Sequence, residues 1–383
     1  MKKNISLFLL LLLFAIGSYN KAIAQDSSHV RISLLTCTPG EELYSIFGHS
    51  AIRIMDSSSV TDYVFNYGTF NFNDEGFYLK FIRGKLLYYV SVERFDDFVY
   101  SYQSDGREIT EQLLNFSAEE KIAIQQWLIE NLKEENKYYK YDFFLDNCTT
   151  RLRDILLKHK NPPPQLPAVM PANTTFRQAI HAYLDKGGKH WSKLGIDILL
   201  GAPTDGIMTV SEQEFLPDNL MRALDSSKNI QFVDNTTKLY SLSNEENKHE
   251  WFTPTIFFTI LLCFVLLLSI SKSNIAIITL QNFDRFLFFM TGLMGVMLIL
   301  MWVYTDHSMT KNNYNLIWAL PTHLVFAFFT RSKNKIVRIY FLTTAILMSL
   351  AICCWFFIPQ ELNPALIPFV ILLLYRAGIK STK

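Results

Sequence analysis

The chain has 383 residues, half of them hydrophobic, and 36 basic against 35 acidic side chains give a formal net charge of +1. That balance, with no basic patch, RNA-binding motif or zinc-finger spacing, argues against nucleic acid as a partner. Hydrophobicity gathers at the two ends, so the class is a membrane protein with a soluble middle.

Met1-Lys2-Lys3, the apolar run Ile5 to Ala15 and the small-residue site Ala22-Ile23-Ala24 predict a secretory signal over residues 1–24. Its apolar stretch is shorter than the ~20 residues that span a bilayer, which disfavours an uncleaved anchor. Gln25 rather than cysteine follows the site, so the chain does not itself look like a lipoprotein. Residues 25–251 then read as an exported domain with a core at 30–160, a proline-rich connector at 161–167, an accessory part at 168–242 and a polar linker at 243–251.

Strands are expected at 30–36, 49–55 and 62–67, giving an antiparallel sheet, with a helix and then a strand across 76–90 broken at Gly84-Lys85. Ser117-Ala118-Glu119-Glu120 is a capping box; Ile122, Ile124, Trp127, Leu128 and Leu132 give its helix an apolar face. A second box at Ser211–Glu214 predicts a helix running on past Pro217, Asn173 should cap a helix over 174–184, and Asp234-Asn235 suggests a hairpin turn. His181 and His190 read as ordinary packing or surface residues, since no second ligand sits at metal spacing.

Two stretches carry chemistry. Asp146-Asn147-Cys148-Thr149-Thr150 precedes a run with helical apolar spacing, which puts Cys148 in a first turn, where free backbone N–H groups and the macrodipole favour a thiolate. His49, in Phe47-Gly48-His49-Ser50-Ala51-Ile52-Arg53, falls on a predicted strand and is the expected base. Asn66 is the first choice to orient the imidazole, with Asp62 behind it. Arg53, two residues on along the same face, suits either a phosphate or a carboxylate partner. A bridge between Cys37 and Cys148 is the competing reading, and it would make the domain a non-catalytic scaffold.

After the linker, a transmembrane domain at 252–383 holds apolar runs at 254–270, 286–304, 314–330, 339–358 and 364–376, or about five spans. Lys272, Arg285, Arg331, Lys333, Lys335, Arg338 and the tail with Arg376, Lys380 and Lys383 lie on one side, while the loops at 305–313 and 359–363 carry only Lys311. The positive-inside rule therefore agrees with export of the soluble domain. The polar outer loop from Thr305 offers Asp306 and His307 to bind a lipid headgroup or to orient the catalytic domain; its alternative is a solvated connection. His323, within a span, is a functional candidate with a buried hydrogen bond as the simpler account.

Leu34-Leu35-Thr36-Cys37-Thr38-Pro39-Gly40, the His49 motif, Asn66-Tyr67-Gly68 and Asp146–Arg151, followed by several spans, resemble the Lnb-type lipoprotein N-acyltransferases of Bacteroidota. The histidine-then-cysteine order is also similar to lecithin:retinol acyltransferase and the permuted NlpC-type peptidases. The resemblance implies an α+β, permuted papain-like extracytoplasmic domain ahead of the spans, in the inner membrane with the domain in the periplasm. It further implies that a fatty acyl chain moves, without a cofactor, from a phospholipid to the α-amine of a lipoprotein's diacylglyceryl-cysteine, with His49 and Cys148 as the catalytic pair. A membrane-tethered cysteine hydrolase acting on lipid ester or wall peptide is the alternative.

Overall fold

In a computed structural model describing residues 29–242 and 251–382, the first domain is organised by one seven-stranded antiparallel sheet. Its strands are β1 (Val30–Cys37), β2 (His49–Asp56), β3 (Thr61–Thr69), β4 (Leu87–Arg94), β5 (Ile109–Leu114), β6 (Tyr138–Lys140) and β7 (Val233–Tyr240), in the order β6-β4-β3-β2-β1-β5-β7. The expected signal and most of the linker lie outside the described residues.

β1 and β2 are central strands buried on both faces. Ile32, Leu34, Ile52 and Phe65 point to one layer, packed on α3 (Ala118–Asn131), α4 (Cys148–His159) and α7 (Pro217–Asp225) through Leu128, Leu152, Leu156 and Leu220. Leu35, Cys37, Ala51 and Val64 point the other way, beneath Phe98 of α2 (Phe95–Ser104). Each such side chain contributes about 1.5–3 kcal/mol on burial, so a one-residue slip of β2 would be prohibitive. The sheet thereby fixes which residues of β2 meet α4.

Several elements differ from the sequence expectation. α1 (Phe77–Ile82) precedes β4 as expected, but in α3 only one side is buried: Ile124 and Leu128 are covered while Ile122 is exposed. α5 (Phe176–Lys186) is capped by Thr175, whose hydroxyl accepts from the N–H of Gln178, while Asn173 takes a left-handed φ of 64° ahead of it. The box near 211 is built by Thr209 with Glu212 and opens only a 3₁₀ turn, Glu212–Phe215. Pro217, which has no N–H to continue that turn, starts α7 afresh. Asp234-Asn235 lies inside β7 instead of turning a hairpin, because β5 supplies that strand's hydrogen-bond partners.

Beyond the linker come α8 (Pro254–Ile270), α9 (Asn274–Tyr304), the one-turn α10 (His323–Phe326), α11 (Lys335–Cys353) and α12 (Ile367–Thr382). Three helices among the described residues are long and apolar enough to cross a membrane: α9, α11 and the stretch Pro364–Thr382; α8 is apolar but shorter. The run at 314–330 is a broken segment of 3₁₀ and short α turns, not one helix. Pro321 removes a donor, and buried Asn315 spends its amide on the carbonyls of Asp197 and Ile198. Irregular backbone at this depth is tolerated where protein surrounds it, and α9 makes the room. A Cβ at Gly292 would overlap Leu324 N, and one at Gly295 would overlap Ala319 O.

Arg376 is not a free tail cation: its guanidinium donates to Asp284 at 2.6 and 2.9 Å, buried between helices. His323 meets the Tyr340 hydroxyl through Nδ1, the buried hydrogen bond that was its simpler account.

The two regions are locked together by the outer loops. Gly201 N–H donates to Met309 O at 2.8 Å, Asn313 to Ile198 O at 2.8 Å, Gln360 to Leu200 O at 2.8 Å and Asn363 to Asp197 at 2.9 Å. Asp197 belongs to α6 (His190–Leu199) and also accepts from buried Arg177 and from His181, both at 2.8 Å. His181 is thus a packing residue inside an ionic node.

Gly295→Leu should lower the thermal unfolding midpoint of the detergent-solubilised protein, with a loss of about 1–3 kcal/mol or more from overpacking. Gly378→Ala in α12, where nothing lies within 4 Å of the added carbon, should leave the midpoint unchanged or slightly raised.

Candidate active site

α4 begins at Cys148 because Asn147 caps it. The Asn147 Oδ1 accepts from the N–H groups of Thr149 at 2.8 Å and Thr150 at 2.9 Å, and Thr150 Oγ1 accepts from Asn147 N–H at 2.8 Å. Asn147 Nδ2 donates to Phe143 O and Phe215 O, at 2.7 and 2.9 Å, which pins the helix start to the accessory part. This corrects one expectation. Two of the helix-start N–H groups counted on to hold charge are taken by Asn147, so the sulfur depends on side chains and on β2 instead.

β2 delivers the base. Gly48, at φ 83°, carries the chain into the strand where a Cβ would stand 2.7 Å from Cys37 O. The next residue, His49, has Nε2 3.0 Å from Asn66 Oδ1 on β3. Asn66 Nδ2 in turn donates to Glu93 Oε1 of β4 at 2.8 Å. Since the carboxylate accepts, the amide must present its oxygen to the imidazole, and the imidazole must present a protonated Nε2. Nδ1 is left unprotonated to meet the thiol. The Tyr102 ring lies parallel to the imidazole, 6.4 Å between centroids.

Burial alone would push the Cys148 thiol up. The charge and hydrogen bond of His49, the N–H of Ser50 and the Thr149 hydroxyl outweigh it and bring the thiol down to about 7. Thr149 Oγ1 is 3.8 Å from the sulfur and 3.1 Å from Ser50 Oγ, so α4 and β2 are stitched at the reacting atom. For His49, burial works against the imidazolium, but the neighbouring thiolate, its hydrogen bond and Asn66 raise it above the ordinary histidine value. Each group thus favours the charged form of the other, the arrangement a nucleophile and its base would need.

Cys148, His49 and Asn66 are therefore brought together, and Asp62 is elsewhere. Arg53 takes the carboxylate alternative and not a substrate-binding place: it donates to Asp62 at 2.6 and 2.8 Å and to Glu111 at 3.0 Å and lies over the Phe95 ring, so its charge is spent within the sheet, away from the cavity. Asp306 pairs with Lys140 at 3.1 Å and its N–H donates to Arg83 O, while His307 Nε2 reaches Phe81 O and Ile82 O. The outer loop is thus docked on the catalytic domain rather than solvated. Cys37 and Cys148 are both free thiols, which removes the basis for a bridged scaffold.

Sequence reading missed Glu93, Tyr102 and the capping work of Asn147. Glu93 carried one usable signal, an acidic side chain in the alternating strand Tyr89–Arg94 beside that of Asn66. A cavity of about 560 Å³ is lined by Cys148 and His49, and Phe70, Phe72, Phe77, Phe81 and Tyr88 make its wall mostly aromatic. Tyr67 also lines it, with a buried hydroxyl that has no partner among the described residues.

Fold and geometry together define a class: an α+β domain with a thiol–imidazole pair, the histidine strand preceding the cysteine helix, docked on a membrane-spanning helical region. The chain belongs to the Lnb family. Residues 20–181 match the Lnb N-terminal periplasmic domain and residues 245–383 match the Lnb transmembrane domain. It is accordingly a membrane protein with a periplasmic domain, of a family that modifies lipoproteins. Searches of curated proteins and of solved structures each returned no match.

Alkylation of Cys148 by iodoacetamide should rise with pH through a midpoint near 7, because the ionised fraction grows as pH passes the thiol's value. In His49→Ala, burial is opposed only by the Ser50 N–H and the Thr149 hydroxyl, and the midpoint should move up; peptide mass spectrometry across a pH series checks both. Cys37, pushed up to about 12 by burial, should stay unmodified in the native protein. Asn66→Ala should lower the alkylation rate at pH 7 while Asn66→Asp retains more of it, the pattern expected if a fixed tautomer is what Asn66 supplies.

Proposed function

We propose that the protein transfers a fatty acyl chain from a phospholipid to the α-amine of the diacylglyceryl-cysteine of lipoproteins, in the inner membrane, with Cys148 as acyl carrier. One observation supports the reading: the thiol–imidazole pair lines the same cavity of about 560 Å³ as a row of aromatic side chains, so an alkyl chain lying in it can bring its ester carbonyl to the sulfur. Burial of each methylene there is worth about 0.8 kcal/mol, which selects long chains.

The Cys148 thiolate attacks the ester carbonyl and a tetrahedral oxyanion forms. The N–H of Cys148 and the unpartnered Tyr67 hydroxyl are the donors for it. As the C–O bond breaks, the His49 imidazolium protonates the departing glyceryl oxygen, leaving a thioester and a lysophospholipid. The lipoprotein amine then attacks the thioester; His49 takes its proton, the C–S bond breaks, and an amide and the thiolate remain. Asn66 and Glu93 are positioning residues for the imidazole throughout.

Water as second acceptor would make the same pair a hydrolase, whose acyl-enzyme is identical. The family and the docking onto the membrane surface favour the amine. A wall peptide would have little use for an aromatic tunnel.

In cells lacking the intact gene and supplied with Cys148→Ala, mass spectrometry of lipoprotein amino termini should find the α-amine free, where the wild-type gene gives the amide. If the variant restores the acylated form, Cys148 is not the carrier and the reading is lost. A purified protein that releases only free fatty acid from phospholipid, with amine acceptor present, would establish the hydrolase.

A further inference from the structure

Beside the catalytic cavity lies a second, of about 240 Å³, between the first domain, the accessory helices and the outer loop. Its wall is apolar, made by Phe144, Ile180, Ile196, Leu200 and Met309, and none of these lines the first cavity. The two share Leu43, Phe47, Gly84, Tyr141, Phe143 and His307 as a common partition. Residues 306–310 are part of its lining and lie just beyond the end of α9 at Tyr304, a helix long and apolar enough to cross a membrane. An empty apolar cavity is destabilising, and the fold retains this one next to a site for alkyl chains.

Resting on the acyl-transfer reading, we propose that the second cavity takes the non-transferred acyl chain of a two-chain phosphoglyceride donor while the transferred chain occupies the cavity at Cys148. The partition separates two chains that spring from neighbouring carbons of one glycerol, and the mouth common to both holds the headgroup. Cations stand close to the outer loop that lines the second cavity. Arg83, Lys85 and Lys140 surround Asp306, which they hold below the ordinary carboxylate range, Lys140 through its hydrogen bond first. Asp142 is tied to Ser308, and His307 faces both cavities. Arg83, Lys85 and Lys140 stand beside two engaged carboxylates, Asp142 and Asp306, and Arg107 lines the first cavity, so a phosphate at the common wall has cations within reach.

The test uses the full-length protein in detergent micelles, with dipalmitoyl phosphatidylglycerol or 1-palmitoyl lysophosphatidylglycerol as donor. Acyl-Cys148 formation is followed by intact-protein mass spectrometry. Ile196→Trp, and Ile196→Phe as the milder filling, should each lower the rate ratio of two-chain to one-chain donor at least fivefold. The one-chain donor reports within the same sample whether the variant is folded. Equal loss with both donors, or an unchanged ratio, overturns the inference while leaving the acyl-enzyme in place. So does a defect confined to transfer from preformed acyl-enzyme to a diacylglyceryl-cysteine peptide, which would give the cavity to the acceptor. Absence of any acylation of the wild-type protein by either donor removes the transfer reading itself, and this inference with it.

Discussion

The contact between the sulfur of Cys148 and the imidazole of His49 is what the rest of the domain is arranged to hold. A buried thiol left alone stays protonated and inert, as Cys37 shows twelve residues upstream of that histidine, where burial pushes the thiol up to about 12. Cys148 differs in its partners rather than in its dryness. An imidazole fixed in one tautomer, a β2 N–H and a hydroxyl on the next residue turn the same burial into an advantage, since charges attract more strongly where water is scarce. Two elements nearly a hundred residues apart have to meet within a hydrogen bond for this to work. The sheet register sets one of them and the Asn147 cap sets the other.

That division explains what was legible in the sequence. Cys148, His49 and Asn66 stand in short stretches whose residue types carry their own signal: polar residues at a helix start, an alternating strand after Phe47-Gly48, and a second strand close enough to pair with it. Such local patterns fixed β1 to β3, the α3 cap and the start of α4. What stayed hidden depends on long-range partners. Arg53 read equally well as a phosphate ligand or a structural cation, and only the pairing of β2 with β3 and the approach of β5 bring Asp62 and Glu111 to it. Glu93 is invisible as a site residue until β4 is laid beside β3. Asp234-Asn235 has the composition of a turn, yet the edge of the sheet offers β7 enough backbone partners to override it. The run at 314–330 has the hydropathy of a span, but hydropathy does not register that Asn315 and Pro321 interrupt it or that Gly292 and Gly295 make space for the broken chain.

On the proposed acyl transfer, holding the domain rigidly to the bundle suits a lipid substrate. An alkyl chain cannot leave the bilayer far without exposing its methylenes to water, at about 0.8 kcal/mol for each, so the proposed reaction calls for Cys148 at the membrane surface rather than swinging above it. A flexible tether would leave that height to chance. Here the outer loops bond to the catalytic and accessory parts through backbone groups as well as side chains: Gly201 to Met309, Ala202 to Asn312 and Asp306 to Arg83. Arg177 and Asp197 add an ion pair that is buried on both sides, and Asn363 from the bundle reaches the same carboxylate. A buried pair of this kind is poor evidence of net stability but is costly to break, which makes it a good device for fixing one geometry.

The same reasoning accounts for His307, the residue through which loop and site meet. Its Nε2 is engaged by carbonyls at the end of α1, and its ring borders both cavities. The loop between α9 and α10 therefore touches the helix that carries Phe77 and Phe81 of the aromatic wall and adds His307 to the lining of the cavity that Cys148 and His49 share. The rest of that lining comes from the first domain, so the membrane-spanning region enters the candidate site through one side chain while Gln360 and Asn363 help to hold the two regions in register.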